Sequence, residues 1–136
     1  MTEFARHLHS EVLRRSVVVA CGDPKAVYPR FLRAFRGFDV SRAMLKETWG
    51  RLMTAFEEHE RVSPNLQGLT WHYEGDVYIY LPKWSTPVFV HEVYHATQAV
   101  LRDLDTHDEE LGAYVQEWIY EQICGRNEPD REKEER

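Results

Sequence analysis

The chain reads as one α+β domain, and three observations carry that reading. Three short runs rich in β-branched and aromatic residues, 15–21, 68–73 and 76–81, are bounded by turn formers. Four longer stretches, 24–36, 41–59, 86–101 and 106–124, repeat apolar residues every three or four positions. The order is strand, two helices, hairpin, two helices. Such blocks predict a small, mostly antiparallel sheet with helices on one face, and a cleft between its edge strand and a neighbouring helix.

At 136 residues, 43% of them hydrophobic and 12% aromatic, the chain can bury one real core and is short for two. The domain is expected over 1–125, because 126–136 (RNEPDREKEER) has one proline and no apolar residue, the composition of a disordered tail. A formal net charge of −6 with no evident basic face argues against nucleic acid as the partner. No apolar run reaches the length of a bilayer span, and the first ten residues lack the hydrophobic core of a secretory signal. Cys21 and Cys124 lie near opposite ends of the sequence, outside any disulfide or C-x-x-C pattern. The expectation is a cytoplasmic protein with no membrane partner and two reduced thiols.

The N-terminal ten residues, with His7 and His9 two positions apart, give no clear element, and both histidines are expected to be solvated. Residues 15–21 (RSVVVAC) read as a buried strand closed by Gly22-Asp23-Pro24. Pro24 opens a helix whose Tyr28, Phe31, Leu32 and Phe35 share one face, up to Gly37. Ser41 suits the cap of the next helix, with an apolar stripe through Leu45, Trp49, Leu52 and Phe56; Glu57, Glu58, His59 and Glu60 read as its solvated end. Ser63-Pro64-Asn65 breaks that pattern. Residues 68–73 (GLTWHY) and 76–81 (DVYIYL) flank Glu74-Gly75 as a β-hairpin, ended by Pro82.

The chemistry-bearing stretch follows. Thr86 is a plausible N-cap, Pro87 suits the first helical position, and the helix then carries His91-Glu92-Val93-Tyr94-His95, a complete H-E-x-x-H motif. Residues four apart project from one helical face a turn apart, the separation at which two neutral imidazoles reach one tetrahedral zinc. Glu92 stands beside the ligands and is suited to take a proton from metal-activated water. Val88, Phe89, Val93, Ala96, Val100 and Leu101 make the helix buried on most sides. Two histidines and a glutamate buried there without a partner carry a desolvation cost of several kcal/mol, which a metal removes.

A catalytic zinc needs three protein ligands and one open position. The H-x-x-G-x-x-H continuation of metzincins is absent, since Gln98 and Leu101 occupy the Gly and His positions. Asp103 and Asp105 fall on the order of 12 Å or more along the helix axis from His95, at 1.5 Å per residue. Thr106-His107-Asp108-Glu109 matches a capping box that starts the last helix, which occupies Glu109 with the backbone of Thr106. Glu110 has no such duty and borders the stripe of Leu111, Tyr114 and Trp118; it is the favoured third ligand, with His107 and Glu109 as alternatives.

With Glu110 placed so, the segment 88–119 resembles the gluzincins, zinc metallopeptidases with H-E-x-x-H on one helix and a glutamate ligand on the next. Glu110-Leu111-Gly112-Ala113-Tyr114 is similar to the E-x-x-A-[NY] stretch of small members, among them ImmA/IrrE-like and phage or prophage metallopeptidase-like proteins. The resemblance covers about a third of the chain. It implies a minimal zincin-like fold and one zinc per chain on His91, His95 and Glu110. It further implies Glu92 as general base and a peptide or protein substrate added as a strand along the hairpin edge. Tyr94, Tyr114, His72 and Tyr73 are candidates for transition-state or substrate contacts. Zinc-dependent peptide hydrolysis is the function expected; the alternatives are a non-catalytic zincin-fold protein of a phage or mobile element that binds metal or a partner, and a metal-free helical interaction domain.

Overall fold

The computed structural model describes residues 3–125, so the expected tail at 126–136 lies outside the described residues. The elements in chain order are β1 (Phe4–Ser10), β2 (Arg15–Cys21), α1 (Pro24–Ala34), α2 (Arg42–Val62), β3 (Leu69–Tyr73), β4 (Asp76–Leu81), α3 (Thr86–Asp103) and α4 (Glu109–Tyr120), extended by a π-helical turn at Glu121–Gly125. The α+β class holds. Four strands form one mixed sheet in the order β1-β2-β4-β3, with β1–β2 and β3–β4 antiparallel and β2–β4 parallel.

Two expectations about the sheet are corrected. The first is β1, a seven-residue strand within the first ten residues, where no clear element is expected. Its alternation is masked because histidine occupies a core-facing position: the His7 ring packs against Phe35 and Phe38 at centroid distances of 4.2 and 4.1 Å, on the opposite sheet face from buried Leu8. The second is the single helical face. Helices cover both faces: Val18, Ala20, Tyr78 and Tyr80 pack with Val27, Phe31, Leu52 and Phe56 of α1 and α2. On the other side Val17, Val19, Val77 and Ile79 pack with Phe89, Val93, Ala96 and Ile119 of α3 and α4. Covering on both sides is what the unbroken apolar runs of β2 and β4 demand, since every residue of a central parallel pair is buried. Each Val, Leu, Ile or Phe side chain so buried contributes about 1.5–3 kcal/mol of hydrophobic stabilisation.

The hairpin is as expected. Glu74 and Gly75 both take positive φ, 53° and 83°, the backbone of a two-residue turn that matches strand twist, and Tyr73 pairs with Asp76. Ser41 caps α2, its hydroxyl accepting from the Met44 N–H at 3.1 Å.

Both helix starts near the motif move. Ser85, not Thr86, caps α3, its hydroxyl accepting from the Val88 N–H, while the Thr86 hydroxyl accepts from Trp84 Nε1 at 3.2 Å. The capping box at Thr106 does not form. Asp108 is the cap of α4: Oδ1 accepts from the N–H groups of Glu110 (2.9 Å) and Leu111 (3.2 Å), and Thr106 instead accepts from the Asp108 N–H. A carboxylate at the cap also faces the positive helix end, an advantage that a threonine lacks.

Candidate functional site

Helix α3 lies with Phe89, Val93, Ala96 and Val100 on the sheet, which turns the 91, 92 and 95 positions toward the edge strand β3. His91 and His95 converge as their spacing requires, but both rings are exposed rather than buried as expected, so of the three motif residues only Glu92 carries a desolvation cost. Their Nε2 atoms are 3.1 Å apart and their rings meet edge to face, with centroids 4.6 Å apart at 76°. With both rings neutral, one Nε2–H must donate to the other's lone pair. Two imidazole nitrogens sharing a tetrahedral zinc at 2.0–2.1 Å lie roughly 3.3 Å apart, so a cation can replace that hydrogen bond with little ring movement.

Glu92 is only 6% exposed. Its carboxylate Oε1 accepts from the Thr70 hydroxyl at 2.8 Å, and the same hydroxyl lies 3.0 Å from the Glu92 carbonyl oxygen. A buried carboxylate needs such a donor, and Thr70 supplies it from β3. Close approach of the strand depends on Gly68: a Cβ there would stand 2.8 Å from Val88 Cγ1 and 3.1 Å from Glu92 Cγ.

Around these groups runs a groove. A cavity of about 440 Å³ is lined by His59, Gly68, Thr70, His72, Glu92, His95 and Arg102, with His91 between it and a second cavity of about 430 Å³ formed by residues 63–68 with Pro87 and Val88. The two share Leu66, Gly68, His91 and Glu92. The candidate centre therefore sits midway along a trough bordered by β3, which pairs with β4 on its other side.

The other sequence candidates are scattered. Glu110 is exposed on α4, outside both cavities, and its residue is tied into the α4 cap through its N–H. His107 and Glu109 line a separate pocket with Tyr94 and Gln98, on the α4 flank of α3. Among the described residues no three His, Cys, Asp or Glu side chains are gathered as a metal-holding group, so Glu110 is not brought together with His91 and His95. Asp103 is engaged elsewhere, in an ion pair with Arg15. Tyr114 is half exposed on α4. Tyr73 stacks on Trp71 at 4.9 Å on the α2 side of the sheet, away from the groove. His72 alone of the four contact candidates lines the cavity that holds His95 and Glu92.

Sequence reading missed Gly68, Thr70 and Arg102, and set His59 aside as part of a solvated helix end. For Thr70 a signal existed. Alternation along GLTWHY places Thr70 and His72 on one face and Leu69, Trp71 and Tyr73 on the other, and the apolar set marks the face that packs on α2. The polar pair then faces the motif helix. No known protein family, curated protein or solved structure matches the chain.

Proposed function

We propose that the chain is a zinc-dependent peptidase of the cytoplasm that acts on an extended peptide or protein segment, with His91 and His95 holding the metal and Glu92 as general base. The observation that carries this reading is the placement of a buried, Thr70-bound carboxylate beside two convergent imidazoles, in a groove along a strand edge. Zinc at the two imidazoles supplies a Lewis acid that polarises a carbonyl and acidifies water. The residues of the chain do the rest. Thr70 fixes one oxygen of Glu92, and the other is left to take a proton from the attacking water and pass it to the leaving amine. The outer edge of β3 offers backbone N–H and C=O groups to a substrate lying as an added strand. Among the described residues no helix is long and apolar enough to cross a membrane.

Glu92→Gln tests this directly, because it keeps side-chain volume and both histidines. Zinc content and melting temperature should stay near wild type, while hydrolysis of a peptide library falls by about 100-fold or more. Unchanged hydrolysis would sink the mechanism.

One observation favours a second reading. Because no third donor is gathered with the histidine pair among the described residues, a non-catalytic protein that binds metal or a partner through this groove also fits. That reading expects zinc binding with no peptide cleaved by wild type, and no difference between wild type and Glu92→Gln.

A further inference from the structure

The candidate ligands fall on two flanks of α3. On the α4 flank lie Glu109 and His107, in a pocket with Tyr94, while Glu110 is exposed and outside it. On the β3 flank, four of the seven histidines of the chain, His59, His72, His91 and His95, line one cavity together with Glu92. We infer that the third protein ligand of the metal is His72 of β3, giving a three-histidine centre in place of the two-histidine, one-glutamate set implied by the resemblance. The inference rests on the metal-binding reading of His91 and His95.

Strand geometry carries the assignment. Gly68 meets Val88 and Glu92, and Thr70 hydrogen-bonds Glu92, so β3 advances alongside α3 in the same direction. Two residues further along a strand is about 6.8 Å, and one helical turn is 5.4 Å. His72 therefore comes level with the turn from His95 to Ala99, both of which line its cavity. It shares a strand face with Thr70 and lines the cavity of the pair; its exposed ring, which interacts electrostatically with Asp76, is not gathered with the two motif imidazoles among the described residues and would turn toward them on metal binding. His59 is a weaker choice. It belongs to α2, which packs on the opposite sheet face, and reaches the cavity only past the β3 edge; its Nδ1 donates to the Ala55 carbonyl at 2.8 Å. Three imidazoles leave a tetrahedral zinc one open position, beside Glu92.

The experiment uses the full chain, zinc and cobalt(II). Loss of a group that merely orients a ligand costs 10–100-fold in metal affinity, so His72→Ala should weaken zinc by about 100-fold or more in chelator competition. Glu110→Ala, Glu109→Ala and His59→Ala should stay within about twofold of wild type. A circular dichroism melt of each metal-free variant checks that it folds. His72→Cys gives a second readout: with cobalt(II) it should add a thiolate-to-metal charge-transfer band in the near ultraviolet that wild type should lack, since neither Cys21 nor the half-buried Cys124 lines the cavity. Wild-type affinity in His72→Ala, no new band in His72→Cys, or zinc release by Glu110→Ala overturns the assignment. Failure of the underlying reading looks different: zinc would then bind equally to wild type and His91→Ala, or to neither.

Discussion

The hydroxyl of Thr70 on the edge strand lies 2.8 Å from Oε1 of Glu92 and 3.0 Å from the carbonyl oxygen of the same residue. One proton serves two acceptors, so this contact fixes both the helix and the carboxylate relative to β3. Thr70→Val keeps the shape and removes the donor. A buried carboxylate left without its partner costs about 1–3 kcal/mol, so the melting temperature should fall by several degrees. Turnover should drop about 10-fold with zinc affinity unchanged, and Thr70→Ser should restore both. Equal turnover in all three proteins would show that Thr70 only holds the strand in place.

Gly68 makes a sharper steric prediction. An added Cβ meets Val88 Cγ1 at 2.8 Å and Glu92 Oε2 at 3.2 Å, so Gly68→Ala must displace the Val88 side chain or push β3 away from α3. Overpacking of this kind costs about 1–3 kcal/mol. Removing the obstructing methyls with Val88→Ala should recover part of that loss, so urea denaturation of the double variant should show less destabilisation than the sum of the singles. Strict additivity would mean that Val88 is not what the new methyl strikes.

The class of the fold and the motif helix were legible because both rest on local periodicity. The runs RSVVVAC and DVYIYL read as strands because they are short, rich in β-branched or aromatic residues and bounded by turn formers, and H-E-x-x-H fixes the relation of His91 to His95 by helical geometry alone. What failed to show depends on contacts far apart in sequence. Thr70 and Glu92 are 22 residues apart, and only the register of β3 against α3 joins them. Strand β1 was hidden by a side chain whose character depends on its surroundings: His7 counts as polar until Phe35 and Phe38 pack against it. The helical cover on both faces was present in the composition of β2 and β4, which lack the alternation of a one-sided strand.

That same histidine gives a pH dependence. Burial holds the His7 pKa down at about 4, from an ordinary 6.5, with His9 adding a smaller push in the same direction. The unfolded chain thus binds a proton between these values where the folded chain does not, so stability is full above about 6.5 and is lost as pH falls toward 4. His7→Phe keeps an aromatic ring beside Phe35 and Phe38 and cannot titrate. Its stability relative to wild type should grow steadily in denaturant melts taken from pH 7 down to pH 4.5. A constant difference across that range would show that the His7 ring takes up its proton in the folded protein as freely as in the unfolded one.

The start of α4 separates two capping schemes that the sequence alone cannot rank. In the capping box, Thr106 holds the helix and Glu109 reaches back, so either substitution is costly. In the structure Asp108 carries both N–H contacts of the first turn, and Thr106 binds only the Asp108 N–H ahead of it. Asp108→Ala should therefore cost about 1 kcal/mol, within the 0.5–2 kcal/mol range for loss of an N-cap. Glu109→Ala should cost a few tenths, from the helix dipole alone. Because α4 packs on α3 through Gly112 and Leu101, fraying of its first turn should also raise amide exchange at residues 109–112 while leaving that of β2 and β4 unchanged. If Thr106→Ala and Glu109→Ala prove more damaging than Asp108→Ala, the helix begins at residue 107 rather than 109, and Glu109 is bound to the backbone after all.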